Sequence, residues 1–499
     1  MIFSQNCSDR SNACVTLDPV AHVKSSLTLQ AHIAYISGGS KAKNADTAAI
    51  FDMEMDFLIN QTAEIYGISN AKKICVAVSG GSDSMSLLML AHSWARKRNF
   101  SISCVTVDHK LRPESASEAL FVRDFCQSIG VDHCILEWNQ RDVGSNASLP
   151  SETYASIRRD IDHGELENLA REARYGLIEN FCKKSDIKLL LTGHTLNDQL
   201  ETFEMRKQCG SSEFGLAGMS RIRSISDELK LLRPILRFTK KQLENFLIGR
   251  NMQWKNDPMN EDVSFRRVFY RKQIMSYDDE KFFGCVNEML RLREMRNKIE
   301  KSAVALLKNQ EICVFSDLGY ATLNLNALLA ETTEVQREII KRIVWNIGGK
   351  KYANNITEET IEKILAKKSN TIGRCLIKIK KNTMHVFREN RNFERVLWDP
   401  SSSNSCIFDN RFLISRHQDE RTDVGIHKNN TDSSTLQIVP AYHEAEKKTH
   451  VRHAPLGLPC ISKNNTIVFV HGIFCDSQMK EIGISCRFLH KVNLFDVFL

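Results

Sequence analysis

The sequence predicts an α/β protein: a doubly wound parallel sheet, then a mainly helical domain, then a small, largely β C-terminal domain. Three observations predict it. Short apolar runs recur at 74–78, 101–107, 131–137 and 187–192 with helix-periodic segments between them, the alternation that right-handed crossovers turn into a parallel sheet. The first run ends in Ser79-Gly80-Gly81-Ser82-Asp83-Ser84, a tight turn that opens a helix. Beyond residue 275 this alternation stops, and helical stretches give way to short alternating runs.

With 499 residues the chain exceeds one ordinary core, and 42% hydrophobic residues can supply two or three. The expected divisions are a flexible extension over 1–50, a nucleotide-binding catalytic domain over 51–275, a mainly helical domain with a β-hairpin over 276–395, and a β-rich domain over 396–499. Residues 1–50 are rich in Ser, Asn, Ala and Thr and lack periodicity. Phe51, Met55, Leu58, Ile59 and Ile65 then share a helix face over 51–66 that leads into the first strand. After that strand the pattern predicts a helix over 85–94, a strand over 101–107, a helix over 117–129 and a strand over 131–137. Asn139 to Gly164 is polar and long for a connection, a surface insertion. Helix returns over 165–184, strand over 187–192, and helix again near Asn197.

Two glycines at 80 and 81 let backbone close around an anion without Cβ clashes, and the orphan N–H groups of the new helix point at whatever sits there. Ser79, Gly80, Gly81, Ser82, Asp83 and Ser84 therefore form a phosphate cradle. Asp83 repels bare phosphate and makes sense if Mg²⁺ accompanies it. The Lys of a Walker loop is missing, so an ATP held here is set up for attack at its α-phosphate, with pyrophosphate leaving. Five fixed positions arise by chance in about one chain per thousand of this length, so an ordinary glycine turn is the weaker explanation. Ser37-Gly38-Gly39-Ser40 copies four residues but continues Lys41-Ala42, and reads as a plain turn.

Asp108 and His109 end the second strand, on the rim where open α/β sheets bind ligands. Asp198 and Glu201 follow the fourth strand at i and i+3, two carboxylates on one helix face suited to a cationic amine or a metal. Spacing alone favours a simpler role for them, complementing a helix macrodipole. Arg171 and Arg174 share a face beside Tyr175; phosphate contact and a solvated face stand level there. Further on, Lys281 to Leu307 reads as a long helix with Arg291, Arg293, Arg296, Lys298 and Lys301, a basic face that by itself is ordinary solvated surface. Thr333 and Gln336 fit a capping box, Thr357 a cap for 358–367, and Lys381-Asn382-Thr383 a hairpin turn. Residues 400–450 read as a linker.

Composition restricts the compartment and partners. No run reaches the roughly 18 apolar residues of a membrane span, and the first residues lack an export pattern, so a cytoplasmic protein without membrane partners is expected. Fifteen cysteines, an odd number with no Cys-x-x-Cys pair, read as reduced core thiols. A net charge of +8 is compatible with a polyanion and does not by itself demand one.

Several patches taken in order resemble the tRNA(Ile)-lysidine synthase family of PP-loop ATP pyrophosphatases. They are SGGSDS at 79–84, VDHKLRPESASE at 107–118, AREARY at 170–175, GHTLNDQLET at 193–202, GLAGM at 215–219, LLRPIL at 231–236 and NDPMNEDVSFRRVFYR at 256–271. The resemblance covers roughly 73–275 and implies the PP-loop, adenine nucleotide hydrolase-like fold. It implies an ATP-dependent ligase that attaches L-lysine to C2 of the wobble cytidine of a CAU-anticodon isoleucine tRNA, through an adenylated base, releasing AMP and pyrophosphate. ATP and Mg²⁺ are the implied cosubstrate and ion, and a homodimer is left open. On that reading Ser79 to Ser84 with Asp108 and His109 bind ATP, Asp83 ligates Mg²⁺, and Asp198 and Glu201 receive the lysine amino groups. Arg171, Arg174, Arg267 and Arg271 face tRNA, and Asp83, Asp198 and Glu201 form the catalytic set. The basic face of 281–307 becomes a phosphate contact only because a tRNA-type catalytic domain precedes it.

The chain departs from the family at named places. Asn197 stands where the family usually has Asp, and Thr195 where it commonly has His. Cys209-Gly210-Ser211-Ser212 lacks the Arg and one Gly of an Arg-Gly-Ser-Gly pattern, and Arg266 and Phe269 replace an expected Asp and Arg. A PP-loop tRNA thiolase is the nearest rival and wants a poised cysteine or a Cys pair, of which there is no motif. A noncatalytic tRNA- or nucleotide-binding protein is a third reading, opposed by intact Asp83, Asp198 and Glu201.

Overall fold

Apolar runs without alternation need cover on both faces, and the central strands have it. In the computed structural model, β1 (Lys73–Ala77) buries Ile74, Cys75 and Val76 completely. The structure describes residues 44–108, 114–138, 163–226, 228–255, 266–349, 356–367, 369–389, 396–399, 405–409, 411–416, 436–440, 459–463, 466–470 and 484–488. The Ser37–Ser40 turn, His109, most of the insertion after Asn139 and most of the N-terminal extension lie outside them.

The chain divides into two units, the first of residues 1–209 and 232–287, the second of 210–231 and 288–499. In the first, α1 (Asn44–Tyr66) leads to β1, and α2 (Ser82–Arg98), β2 (Ser101–Asp108), α3 (Glu114–Ser128) and β3 (Asp132–Glu137) follow. Next come α4 (His163–Lys184), β4 (Leu189–Leu191) and α5 (Leu196–Gln208). Past α6 (Glu213–Leu216), β5 (Ile222–Ser224) and β6 (Lys230–Leu232), the first unit resumes with α7 (Lys240–Ile248) and α8 (Arg266–Met275). β1 pairs in parallel with both β2 and β4, and β2 in parallel with β3.

The resulting order, β3-β2-β1-β4, has one topological consequence. From β1 the chain winds outward to β2 and β3, then returns to the other side of β1 for β4, so the order reverses between β1 and β4. A crevice opens at the carboxyl ends of two such strands, and the turns that leave them, 78–81 and 192–195, line it. Helix α1 is tied to α2 away from that end: the Trp94 indole N–H donates to Asp56 Oδ1 at 2.9 Å, and Arg98 pairs with the same carboxylate at 2.7 Å.

The second unit takes most of α9 (Asp279–Lys308), then β7 (Cys313–Ser316), β8 (Tyr320–Asn324), α10 (Leu325–Leu329), α11 (Thr333–Gly348), α12 (Glu358–Lys367), β9 (Ser369–Ile372), β10 (Cys375–Lys380) and β11 (Thr383–Arg388). These strands form one antiparallel sheet, β7-β8-β11-β10-β9. Helix α11 packs its Ile339, Ile340, Ile343 and Ile347 into the core with Leu323, Ile377 and Val386. Only the β10–β11 hairpin was legible as a pattern, because β7 and β9 have four residues each, too few to establish a period. Four short strands make a further sheet, β12 (Val396–Trp398), β15 (Leu436–Pro440), β16 (Pro459–Lys463) and β17 (Thr466–Val470). Three more pair as β13 (Ser405–Phe408), β14 (Phe412–Arg416) and β18 (Ile484–Phe488).

Three expectations for this unit change. Arg293 and Arg296 of α9 are turned inward: Arg293 donates to the carbonyls of Ala217 and Met219, and Arg296 to the Phe214 carbonyl at 3.3 Å and to Glu300 at 2.9 Å. Guanidinium donors satisfy the open carbonyls of the irregular 214–219 turn, while Arg291, Lys298 and Lys301 remain exposed. The cap of α11 is Thr332, not Thr333, and Gln336 donates to the Glu331 carbonyl instead of closing a box. Residues 405–416, read as linker, hold a buried charge cluster in which Asp409 pairs with Arg374, Arg388 and Arg411. Arg388 and Arg411 are fully buried, and burial lowers the Arg411 pKa to about 10.

Asn346 of α11 is fully buried, and its amide finds no hydrogen-bond partner among the described residues. An orphaned buried amide costs about 1–3 kcal/mol, so Asn346→Leu should raise the denaturation midpoint. Urea unfolding at equal m-value checks this, and a lower midpoint would contradict it.

Candidate active site

The cradle begins with Gly80 at φ +90°, a conformation open to glycine, which swings the chain from β1 into α2. Helix α2 starts at Ser82, three residues earlier than its periodicity indicates, so Ser82, Asp83 and Ser84 are its first turn and their N–H groups have no carbonyl four residues back. Gly81 caps that turn without a side chain, leaving the anion face uncovered. The loop is held in shape by Ser84, whose hydroxyl donates to the Gly81 carbonyl at 3.0 Å and accepts the Ser79 N–H at 3.2 Å. From outside, the Lys255 N–H donates to the Gly80 carbonyl at 2.9 Å.

Gly193 fixes the neighbouring turn against this one. A Cβ at Gly193 would stand 3.3 Å from both Cα and N of Ser84, a tight approach that a side chain could occupy only if the two backbones moved slightly apart. Thr195 then caps α5 and forms a capping box with Asp198, whose Oδ2 accepts from the Thr195 N–H at 2.7 Å and its hydroxyl at 2.9 Å. The simple reading of Asp198 is thus part of the answer. Its Oδ2 serves the helix, and no hydrogen bond engages its other oxygen.

Glu201, 4% exposed, lies one turn on. Arg271 of α8 donates from Nε to Glu201 Oε1 at 2.7 Å, while Oε2 is buried with no partner. Burial raises the Glu201 pKa, as does the nearby Asp198 charge, against the lowering effect of Arg271. Burial likewise raises Asp83 to about 6, with Lys240 opposing and Asp198 and Glu244 reinforcing the rise. Asp83, Asp198, Glu201 and Arg271 therefore form one electrostatic cluster beside the cradle. Arg271, expected to face tRNA with Arg267, is tied inside it, since a buried carboxylate so close recruits the guanidinium.

A second cluster surrounds His194, a residue the sequence reading quoted without a role. Its Nδ1 lies 3.0 Å from the Thr192 hydroxyl. Burial, then the charges of Arg233, Arg171, Arg267 and Arg174, hold its pKa well below 6.5, so the ring is neutral near pH 7. Three of the four proposed tRNA arginines thus converge from two segments distant in sequence. Arg171 also stacks on Tyr175, 5.4 Å from the ring centre. Asp108 is buried at the carboxyl end of β2, accepting the Ser115 hydroxyl at 2.6 Å. Lys240 and Arg233 belong to the neighbourhood and were missed as single residues, although LLRPIL had marked their segment.

A glycine-lined phosphate cradle at a sheet's switch point, with carboxylates at the adjoining helix start, defines a nucleotide-activating enzyme class. Sequence comparison fits it: residues 53–277 match the model of the PP-loop domain. A tRNA(Ile)-lysidine synthase of Rickettsia felis is 30% identical over 375 residues, 73% of this chain and 80% of the relative. One from Wolbachia pipientis is 28% identical over 372 residues, 72% of this chain and 80% of the relative. The chain belongs to the tRNA(Ile)-lysidine synthase family. Among solved structures, the U34-tRNA thiolase of Methanococcus maripaludis aligns at 14% identity over 48% of this chain and 78% of that chain with a TM-score of 0.37, a likeness that carries no functional argument. Among the described residues no helix is long and apolar enough to cross a membrane.

The raised Asp83 pKa has a signed consequence for stability. The unfolded chain releases this proton near 3.8 and the folded protein near 6, so ionisation costs the fold nothing below pH 3.8 and its full amount above pH 6. That amount is about 1–3 kcal/mol. Asp83→Asn should therefore raise the melting midpoint of the ligand-free protein at pH 7.5, by a margin that vanishes near pH 4, as roughly measured by calorimetry across that range. A margin that grows on acidification would contradict the assignment.

Proposed function

We propose that this chain forms lysidine on an isoleucine tRNA in an ATP-dependent reaction, with the residues described above in the following roles. The N–H groups of the first turn of α2, with Ser79 and Ser84, take the ATP phosphates. The cytidine C2 oxygen attacks the α-phosphorus, the bond to the pyrophosphate breaks, and the leaving charge stays on pyrophosphate within the cradle. The lysine ε-amine then attacks C2, and AMP leaves with the electrons of the C2–O bond. Glu201 Oε2, already buried and unpartnered, is placed to accept an ammonium hydrogen and to take the proton as the amine becomes a nucleophile. Arg271 holds the other oxygen of that carboxylate and so fixes which one faces lysine.

A divalent ion fits Asp83 on the donor chemistry: its carboxylate is half-buried and has only a 3.5 Å contact from Ser82. Mg²⁺ bound there supplies charge to stabilise the phosphates of ATP. No cluster of three or more His, Cys, Asp or Glu stands ready to hold a metal among the described residues, so phosphate oxygens and water would complete its shell. Arg171, Arg174 and Arg267 carry the tRNA backbone, and Asp108, with His109 beside it in sequence, lines the nucleotide edge. The thiolase reading lacks a Cys-x-x-Cys motif, and seven of the described cysteines are buried.

The observation that carries this reading is the unpartnered Glu201 oxygen in the same electrostatic cluster as the cradle's Asp83. With ATP, Mg²⁺ and a CAU-anticodon isoleucine tRNA, labelled lysine should enter the tRNA only when ATP is present. Glu201→Gln should lower lysine incorporation by roughly 100-fold or more with tRNA affinity within about twofold, since it removes both the charge and the proton acceptor. Incorporation of label at the native rate in that variant would remove Glu201 from the mechanism.

A further inference from the structure

The cradle has no lysine of its own in sequence, yet the fold brings one to it. Lys240 is the first residue of α7, and its backbone N–H donates to Asn197 Oδ1 at 2.9 Å. The same approach is secured one step away, where the Leu196 N–H donates to the Phe238 carbonyl at 2.9 Å. On the other flank α7 is seated against α2, with the buried Ser86 hydroxyl donating to the Leu243 carbonyl at 3.1 Å. A capping box between Thr239 and Gln242 stiffens the turn. Helices α2, α5 and α7 thus start close together, and Lys240 stands at the start of the third.

Two features separate this lysine from an ordinary surface one. Its side chain is half-buried, yet its ammonium makes no hydrogen bond or ion pair with any described residue; Glu244, one turn on in the same helix, does not pair with it. By contrast, Lys341, whose side chain is also partly exposed, pairs with Glu338 at 3.1 Å. Of the charges acting on Asp83, that of Lys240 is the strongest, in keeping with the contacts that seat the start of α7 against α2 and α5. The second feature is Asn197. Where the family usually has Asp, a neutral amide holds the α7 backbone and leaves the charge of Lys240 without a carboxylate of its own.

We propose that Lys240 binds the β- and γ-phosphates of ATP, and then the departing pyrophosphate, with Asn197 as the positioning residue that aims it. A strongly hydrated ammonium kept half-buried without a partner gains most from a multivalent anion, and the helix starts around it favour the same charge. Lys240 would thereby supply from a remote segment the cation that a Walker loop carries within itself. The leaving group, not the α-phosphorus, is what it stabilises.

This rests on the ATP-dependent reading of the cradle, and the test separates the two. Binding of ATP and of inorganic pyrophosphate to the full chain is measured by calorimetry, with KM for ATP and for lysine from the lysine-incorporation assay. Lys240→Met should weaken pyrophosphate binding by about 10- to 100-fold and raise KM for ATP by a similar factor, with KM for lysine within about twofold. Lys240→Arg should recover part of the loss, and Asn197→Asp should weaken pyrophosphate binding about threefold or more by giving the ammonium a competing carboxylate. AMP, which has no β-phosphate, should bind native protein and Lys240→Met alike. Failure of native protein to bind ATP would remove the cradle reading itself. Native binding of ATP with an unchanged Lys240→Met, or an equal loss of AMP affinity, would overturn the role of Lys240 alone.

Discussion

The active end of the first unit depends on one close approach, that of the Gly193 backbone to the backbone of Ser84. Their strands are neighbours on either side of the switch point, and a side chain at 193 would crowd the first turn of α2 and force the two backbones slightly apart. Because that contact is backbone on backbone, no rotamer change relieves it. Its effect is to set the helix that carries Asp198 and Glu201 directly beside the helix start that cradles phosphate. Groups bound by separate segments react only if those segments are held at a fixed distance, and a backbone contact of this kind helps to hold it.

Charge explains the remainder of the arrangement. Burial raises the pKa of Asp83 and of Glu201, and the nearby Asp198 charge adds to both shifts. Arg271 offsets part of the rise at one oxygen of Glu201 and leaves the other bare. Around His194 the sign is reversed, with four arginines converging on a ring that burial already keeps neutral. A neutral ring adds nothing to that positive field. Acidic and basic neighbourhoods thus lie at consecutive turns of the same chain segment, the first proposed to take an ammonium and the second phosphodiesters.

The parts of this design that are legible in sequence are those made by neighbours in the chain. Ser79 to Ser84 is contiguous, and the alternation of apolar runs with helical periods suffices for the parallel order of β1 to β4. Asp198 and Glu201 are one turn apart, so their shared face follows from spacing. What sequence hides is pairing between distant segments. The Arg271–Glu201 bond joins residues separated by 70 positions, and the Lys240–Asn197 bond residues separated by 43. Burial decides the role of a basic residue more than its type does: Arg293 and Arg296 are the same residue type as exposed Arg291 in the same helix, yet they satisfy carbonyls of a turn some 80 positions earlier. Asp409 lay in a stretch polar enough to read as linker, and two of the three arginines that bury its charge, Arg374 and Arg388, come from outside that stretch.

Asp198 shows why the structural and the functional reading of a residue need not compete. A carboxylate has two oxygens and about four acceptor sites, and a capping box uses only one side of it. Oδ2 is fixed by the Thr195 N–H and hydroxyl, which sets the side-chain torsions and therefore the direction of Oδ1. The cap thus does for Asp198 what Arg271 does for Glu201: it occupies one oxygen and orients the other. Had Thr195 been a residue without a hydroxyl, one of these two bonds would be lost and the carboxylate left freer to rotate. Pre-orientation of this kind reduces the entropy lost when an ammonium is captured, which is the part of recognition that composition and spacing do not reveal.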